Sequence, residues 1–101
     1  MAKKSLIARN EKRIKLANAL FARRIGLKRA IACKNIDLSE RYALVKQLSN
    51  MPRNGTMVRV RNRCEITGRP RGVYSKFTLC RHKIRELAGQ SLLPGLVKSS
   101  W

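Results

Sequence analysis

The sequence predicts a mostly α-helical chain with irregular segments, in which extended N-terminal helices lead into a small C-terminal module. Three observations predict it. Residues 4–32 contain no proline and a single glycine, Gly26, and are rich in Ala, Leu, Lys and Arg, all strong helix formers. Leu38, Tyr42, Val45 and Leu48 recur at three- and four-residue spacing, the period of an amphipathic helix. From Cys64 onward the chain changes to a glycine- and proline-punctuated basic loop and one further short apolar stripe. A chain of 101 residues holds one small domain or a domain with an extension, and it buries only a modest core.

Taken in order, residues 4–32 form one or two long helices. Ile7, Ile14, Phe21 and Ile25 fall on one stripe of that cylinder, and Leu16, Leu20, Leu27 and Ile31 fall roughly opposite. Arg9, Lys12, Arg13, Lys15, Arg23, Arg24, Lys28 and Arg29 are spread around it as well. Such a helix has no single core-facing side and suits a place wedged between other macromolecules. Asp37 with Glu40 three residues later makes a capping-box-like start for a second helix near Leu38. Its apolar face is expected to pack, and Ser49, Asn50 and Pro52 stop it. Asn54-Gly55 marks a turn. Arg59, Arg61 and Arg63 follow at alternate positions, which places them on one side of an extended chain.

Thr67-Gly68-Arg69-Pro70-Arg71-Gly72 forms a loop whose backbone can approach phosphates closely. Leu79 to Ala88 reads as a short helix with an apolar stripe including Ile84 and Leu87, with Arg81 and Arg85 on another face and Gly89 as its stop. The domain expectation is therefore a helical extension over 1–50, a basic linker over 51–63 and a compact basic module over 64–101.

Charge decides the partner. Lys and Arg total 24 against 5 acidic residues, a formal net charge of +19, which would repel itself in an isolated compact fold unless a polyanion neutralised it. Thirteen of these cations lie in residues 1–50 and eleven in 51–101, so the contact surface runs along the whole chain and is no tethering arm on a neutral domain. Arg59, Arg61, Arg63, Arg69 and Arg71 share a stretch holding one acid, Glu65. A guanidinium offers a planar donor fork to phosphate and stacks on exposed bases. A DNA-binding reading shares the charge but lacks a recognition helix with base-reading side chains or a dimerisation seam. A membrane-active reading lacks a clean apolar face in residues 4–32. No signal peptide is expected from Met-Ala-Lys-Lys-Ser-Leu-Ile, and no apolar window reaches membrane-spanning length.

Cys33, Cys64 and Cys80 make an odd, scattered set that suits free thiols, with Cys33 expected as a small packed thiol. Cys64, Cys80 and His82 raise the question of zinc, but position 67 is Thr and position 83 is Lys, so neither cysteine has a C-x-x-C partner. A Cys80–His82 or Glu65–Glu86 catalytic pair lacks any supporting constellation: residues two apart on a helix diverge, Glu86 is placed to pair with Lys83 or a neighbouring arginine and Glu65 with nearby arginines. No enzyme, metal or cofactor is expected. Tyr74 and Phe77 flank the basic loop, Phe77 as a core residue and Tyr74 open to either packing or stacking.

The run Arg-Cys-Glu-Ile-Thr-Gly-Arg-Pro-Arg-Gly-Val-Tyr-Ser-Lys-Phe-Thr-Leu-Cys-Arg-His-Lys-Ile-Arg-Glu from Arg63 to Glu86, the closing Leu-Pro-Gly-Leu-Val-Lys-Ser-Ser-Trp and the opening Ala-Lys-Lys-Ser-Leu-Ile resemble the small-subunit ribosomal protein fourteen family, in its bacterial-type long form lacking the zinc-binding cysteine pairs. The resemblance covers essentially the whole chain and is least distinctive over 30–50. It implies that the C-terminal module resembles a zinc ribbon that has lost its metal, with Thr67 and Lys83 standing at former ligand positions. It further implies a structural ribonucleoprotein role in translation: binding 16S rRNA in the head of the small ribosomal subunit near the decoding A site, supporting ribosome assembly, and neighbouring small-subunit proteins three and ten. The expected location is the ribosome, in the cytoplasm or an organellar matrix. The side chains expected on rRNA are Lys3, Lys4, Arg9, Arg23, Arg24, Arg53, Arg59, Arg61, Arg63, Arg69, Arg71, Lys76, Arg81, Arg85, Lys98 and Trp101, the last as a stacking platform, a protein anchor or a core plug.

Overall fold

The structure, a computed structural model, describes residues 1–99. Its elements run α1 (Lys4–Ala32), α2 (Leu38–Asn50), 3-10 turns at Arg53–Gly55 and Met57–Arg59, β1 (Val73–Tyr74), β2 (Leu79–Cys80) and α3 (Arg81–Gly89). The described chain is thus mostly helical, with three α-helices and a small two-stranded sheet. It divides into two compact units, one of Met1–Ala8 with the chain from Arg61 onward, the other of Arg9–Val60. No helix among the described residues is long and apolar enough to cross a membrane.

In the unit Arg9–Val60, the helix predicted for residues 4–32 is a single α1, because nothing in it breaks the hydrogen-bond ladder and Gly26 alone costs only about 1 kcal/mol. Ala17 is fully buried, and Leu16 and Leu20 are half-buried. The loop after α2 lies on them: a Cβ at Gly55 would come 2.6 Å from Leu20 Cδ1 and 3.4 Å from Leu16 Cγ. Arg24 fastens the same loop by donating from Nη2 to the Pro52 carbonyl at 2.7 Å. The predicted Asn54-Gly55 turn is therefore a packing contact. Gly55→Val is expected to lower this unit's stability by roughly 1–3 kcal/mol through overpacking, read as a lower melting temperature.

Asp37 is the N-cap of α2 as the sequence suggests, but its side chain makes no cap bond to the helix. The Ser39 hydroxyl donates to the Asp37 carboxylate instead, and that bond above all holds the Asp37 pKa below its ordinary value. Two packing expectations are corrected here. Leu38, Tyr42 and Val45 on the predicted apolar face are exposed, at 79%, 73% and 45%, so periodicity marks the helix without identifying what covers it. Cys33 is exposed rather than packed, lying just beyond the end of α1, where its carbonyl accepts from Arg41 Nη2 at 2.8 Å.

The other unit is built on a small core of Cys64, Leu79 and Cys80, against which Val73, Phe77, Ile84 and Leu87 pack. Strands β1 and β2 pair antiparallel in the register Val73↔Cys80 and Tyr74↔Leu79. The last helix starts at Arg81, not at Leu79: pairing draws Leu79 and Cys80 into extended conformation and buries both, so Cys80 becomes the N-cap. The Arg81 N–H donates to the Gly72 carbonyl at 2.8 Å, joining the helix start to the end of the glycine-rich loop. The N-terminal segment belongs to this unit too, since the Ala2 N–H donates to the Thr67 carbonyl at 3.1 Å.

Candidate nucleic-acid interface

The loop between Cys64 and Gly72 is closed from within. The Cys64 N–H donates to the Arg69 carbonyl at 3.0 Å and the Gly68 N–H to the Cys64 carbonyl at 2.8 Å. This turn requires φ +70° at Gly68, a backbone region in which a side chain is strained. Two of the predicted arginines staple the loop further: Arg63 Nη1 donates to the Gly68 carbonyl at 2.9 Å, and Arg61 Nε to the Pro70 carbonyl at 3.1 Å. A guanidinium has five donors, so an arginine can shape the loop through one N–H and meet phosphate through another. Arg69 and Arg71 are exposed on it.

Arg69 Nη1 lies 3.2 Å from His82 Nδ1. For the guanidinium to donate, that nitrogen must be the acceptor, with the imidazole proton on Nε2. This contact orients Arg69 and gives His82 a positioning role that sequence spacing does not disclose, because the residues stand thirteen apart on different elements. A hollow of about 410 Å³ opens beside them, lined in part by Ala2, Thr67, Arg69, His82 and Lys83. Basic groups from the loop and the first turn of α3 converge there on one side of the module.

Beneath the loop, Cys64 and Cys80 are both 2% exposed. Burial pushes the Cys64 thiol up, but the Thr67 hydroxyl and the backbone N–H groups of Thr67, Cys80 and Ile66 outweigh it and hold its pKa down at about 6. The Thr67 hydroxyl is also 3.8 Å from Cys80 Sγ. Lys83 is bonded to Glu86 at 2.7 Å, which settles which of the two expected partners Glu86 takes; that bond and the Glu86 charge hold the Lys83 pKa above its ordinary value. The donor set does not fit a tetrahedral zinc site, since a hydroxyl and an ammonium stand at the second position of each pair. No group of three or more His, Cys, Asp or Glu side chains placed to hold a metal occurs among the described residues.

A thiol with a folded pKa near 6 and an unfolded pKa near 9 binds fewer protons when folded between those values. Its stabilising contribution is fully present above the unfolded pKa and is lost as pH falls through the folded one. Stability of this unit is expected to rise from pH 6 toward pH 9. Melts of the native chain and Cys64→Ser across that range check it, the variant losing the slope.

Most of the predicted contact residues are exposed. In the unit containing the loop these are Lys3, Lys4, Arg61, Arg69, Arg71, Lys76, Arg81, Arg85 and Lys98, with Arg63 half-buried. In the other unit, Arg9, Arg23, Arg53 and Arg59 are exposed and Arg24 is half-buried. Trp101 lies outside the described residues. The extended run expected of Arg59, Arg61 and Arg63 does not begin at Arg59, because Met57–Arg59 is a 3-10 turn in which Arg59 Nη1 donates to Asn54 Oδ1 at 3.2 Å. Glu65, expected beside arginine, accepts from the Thr78 hydroxyl at 2.7 Å. Cys80 is on a strand and His82 on a helix, one packed in the core and the other engaged with Arg69. Phe77 packs on the core as expected while Tyr74 is 56% exposed, and Lys76 Nζ lies 6.0 Å from the Phe77 ring centroid.

Residues 47–100 match the family described as Ribosomal protein S14p/S29e. The chain is 54% identical, over the full length of both sequences, to Small ribosomal subunit protein uS14 of Rickettsia canadensis (strain McKiel). The same identity and coverage hold for the proteins of that name from Rickettsia massiliae (strain Mtu5) and Rickettsia bellii (strain OSU 85-389).

Proposed function

The chain belongs to the S14p/S29e family of ribosomal proteins, a structural constituent of the small ribosomal subunit rather than an enzyme, and on that basis we propose that it binds 16S rRNA in the head of the subunit, near the decoding A site. The observation that carries this reading is the basic loop, closed by its own backbone and by Arg61 and Arg63, on which Arg69 and Arg71 stand exposed. A rigid loop loses little entropy when its cations meet phosphate, so their charge goes into drawing together RNA strands that would otherwise repel. The role is architectural: it supports subunit assembly and holds the local RNA conformation.

In this reading residues 1–50 act as a helical extension, 51–63 as a basic linker and 64–101 as the RNA-binding module, with Met1–Ala8 joined to the module. The module corresponds to a metal-free ribbon whose former ligand positions are Thr67 and Lys83. Small-subunit proteins three and ten are its neighbours, and Trp101 contributes a contact. The test is sedimentation of a tagged copy from lysate at low and high salt. Co-migration with the small subunit at both supports the reading, whereas release at modest salt or migration with DNA overturns it.

A further inference from the structure

On the face of α3 away from the Arg69–His82 contact, the segment after the helix helps enclose a cavity of about 400 Å³. Tyr74, Phe77 and Ile84 give it an apolar and aromatic lining, and Arg81, Arg85 and Lys98 supply its charge. The two arginines stand one helical turn apart and both are exposed. Lys98 reaches the C-terminal end of α3, its Nζ lying 3.0 Å from the position a Cβ would take on Gly89. Among the described residues no Asp or Glu lines the cavity, and Glu86 on the same helix is engaged with Lys83. The Arg81 stem lies over Gly72, Cδ standing 3.6 Å from a Cβ placed there.

This combination differs from what a duplex backbone needs. Phosphates alone call for cations and no aromatic wall, while a purely apolar partner would leave three cations without counter-charge. An unpaired nucleotide uses both, because its base presents a π-face to an aromatic side chain and its phosphates meet the cations. We propose that this cavity receives one unpaired RNA nucleotide, its base against Tyr74 and its phosphates among Arg81, Arg85 and Lys98. The proposal rests on the RNA-binding reading and adds to it the place and chemical state of the nucleotide.

Small subunits reconstituted with the full chain are irradiated with ultraviolet light and the cross-linked peptides sequenced, and the affinity of the chain for small-subunit rRNA is measured over a range of salt. The expected result is a nucleotide cross-linked to the peptide carrying Tyr74. Tyr74→Leu should lose the cross-link and about tenfold in affinity with the salt slope unchanged, while Tyr74→Phe should keep both. Arg85→Gln should lower the slope by about 0.7. Tyr74 is largely exposed, so these variants fold, which melting confirms. Wild-type affinity for rRNA together with an indifferent Tyr74→Leu and no cross-link at Tyr74, or a cross-link there to protein, overturns the nucleotide pocket and leaves the RNA-binding reading standing. A wild-type chain that does not bind rRNA overturns both.

Discussion

Replacing Arg69 and Arg71 together by alanine is expected to lower affinity for small-subunit rRNA on the order of thirtyfold and to reduce the salt slope by about 1.4. Each exposed arginine–phosphate ion pair contributes up to about 1 kcal/mol, and each phosphate neutralised on a single strand contributes about 0.7 to the slope. Lys34→Ala, an exposed change in the connection between α1 and α2, should alter neither by more than a small fraction of that. The loop keeps its shape in the double variant because its closure rests on backbone bonds and on Arg61 and Arg63. The double variant does remove the hydrogen bond between Arg69 and His82, and His82→Ala measures that share separately. Filter binding over a salt series, with incorporation into reconstituted subunits as a second readout, decides between these outcomes. Equal behaviour of the double variant and Lys34→Ala removes the loop from the interface.

Gly68→Val should be more damaging to the fold than any single arginine substitution. A Cβ at Gly68 would stand 2.7 Å from Ile7 Cδ1, 3.0 Å from Ile7 Cγ1 and 3.1 Å from Ala2 Cβ. The backbone there sits at φ +70°, so the side chain meets both a strained conformation and an occupied space. Strain of about 1–3 kcal/mol and overpacking of similar size give a loss of roughly 2–6 kcal/mol, a large share of the margin available to a domain with so small a core. The variant is expected to melt far earlier and to be cleaved faster by protease. Combining Gly68→Ala with Ile7→Ala should restore only part of the loss relative to Gly68→Ala alone, because it removes the Ile7 contact and leaves the Ala2 contact and the φ strain. Full restoration would show that packing alone makes this glycine necessary.

Much of the helical architecture is legible in the sequence because it depends on local properties. Residues 4–32 are helix formers without a breaker, and α2 begins after Asp37 and ends just before Pro52. Sequence and structure part where distant segments meet. Leu79 and Cys80 carry a helical apolar pattern and become a strand because Val73 and Tyr74 pair with them. Leu38, Tyr42 and Val45 carry a packing pattern and are exposed, since periodicity describes a face and says nothing of a partner for it. In the sequence, Arg61 and Arg63 are two more cations in a basic stretch. Only the turned loop brings the Pro70 and Gly68 carbonyls within reach of their N–H groups.

Charge, helical class, the basic glycine-rich loop and the family could all be read from residues in a row, since composition, periodicity and motif order are carried there. Folding was needed to settle which arginines shape the loop and which stand exposed on it, and why Gly68 tolerates no side chain. It was needed equally for how the buried thiols share hydrogen bonds with Thr67, and for where aromatic and cationic groups enclose a cavity beside α3. The reason is physical. Charge and propensity belong to single residues and short windows, whereas burial, hydrogen-bond partners and steric contact belong to pairs that the chain brings together only on folding.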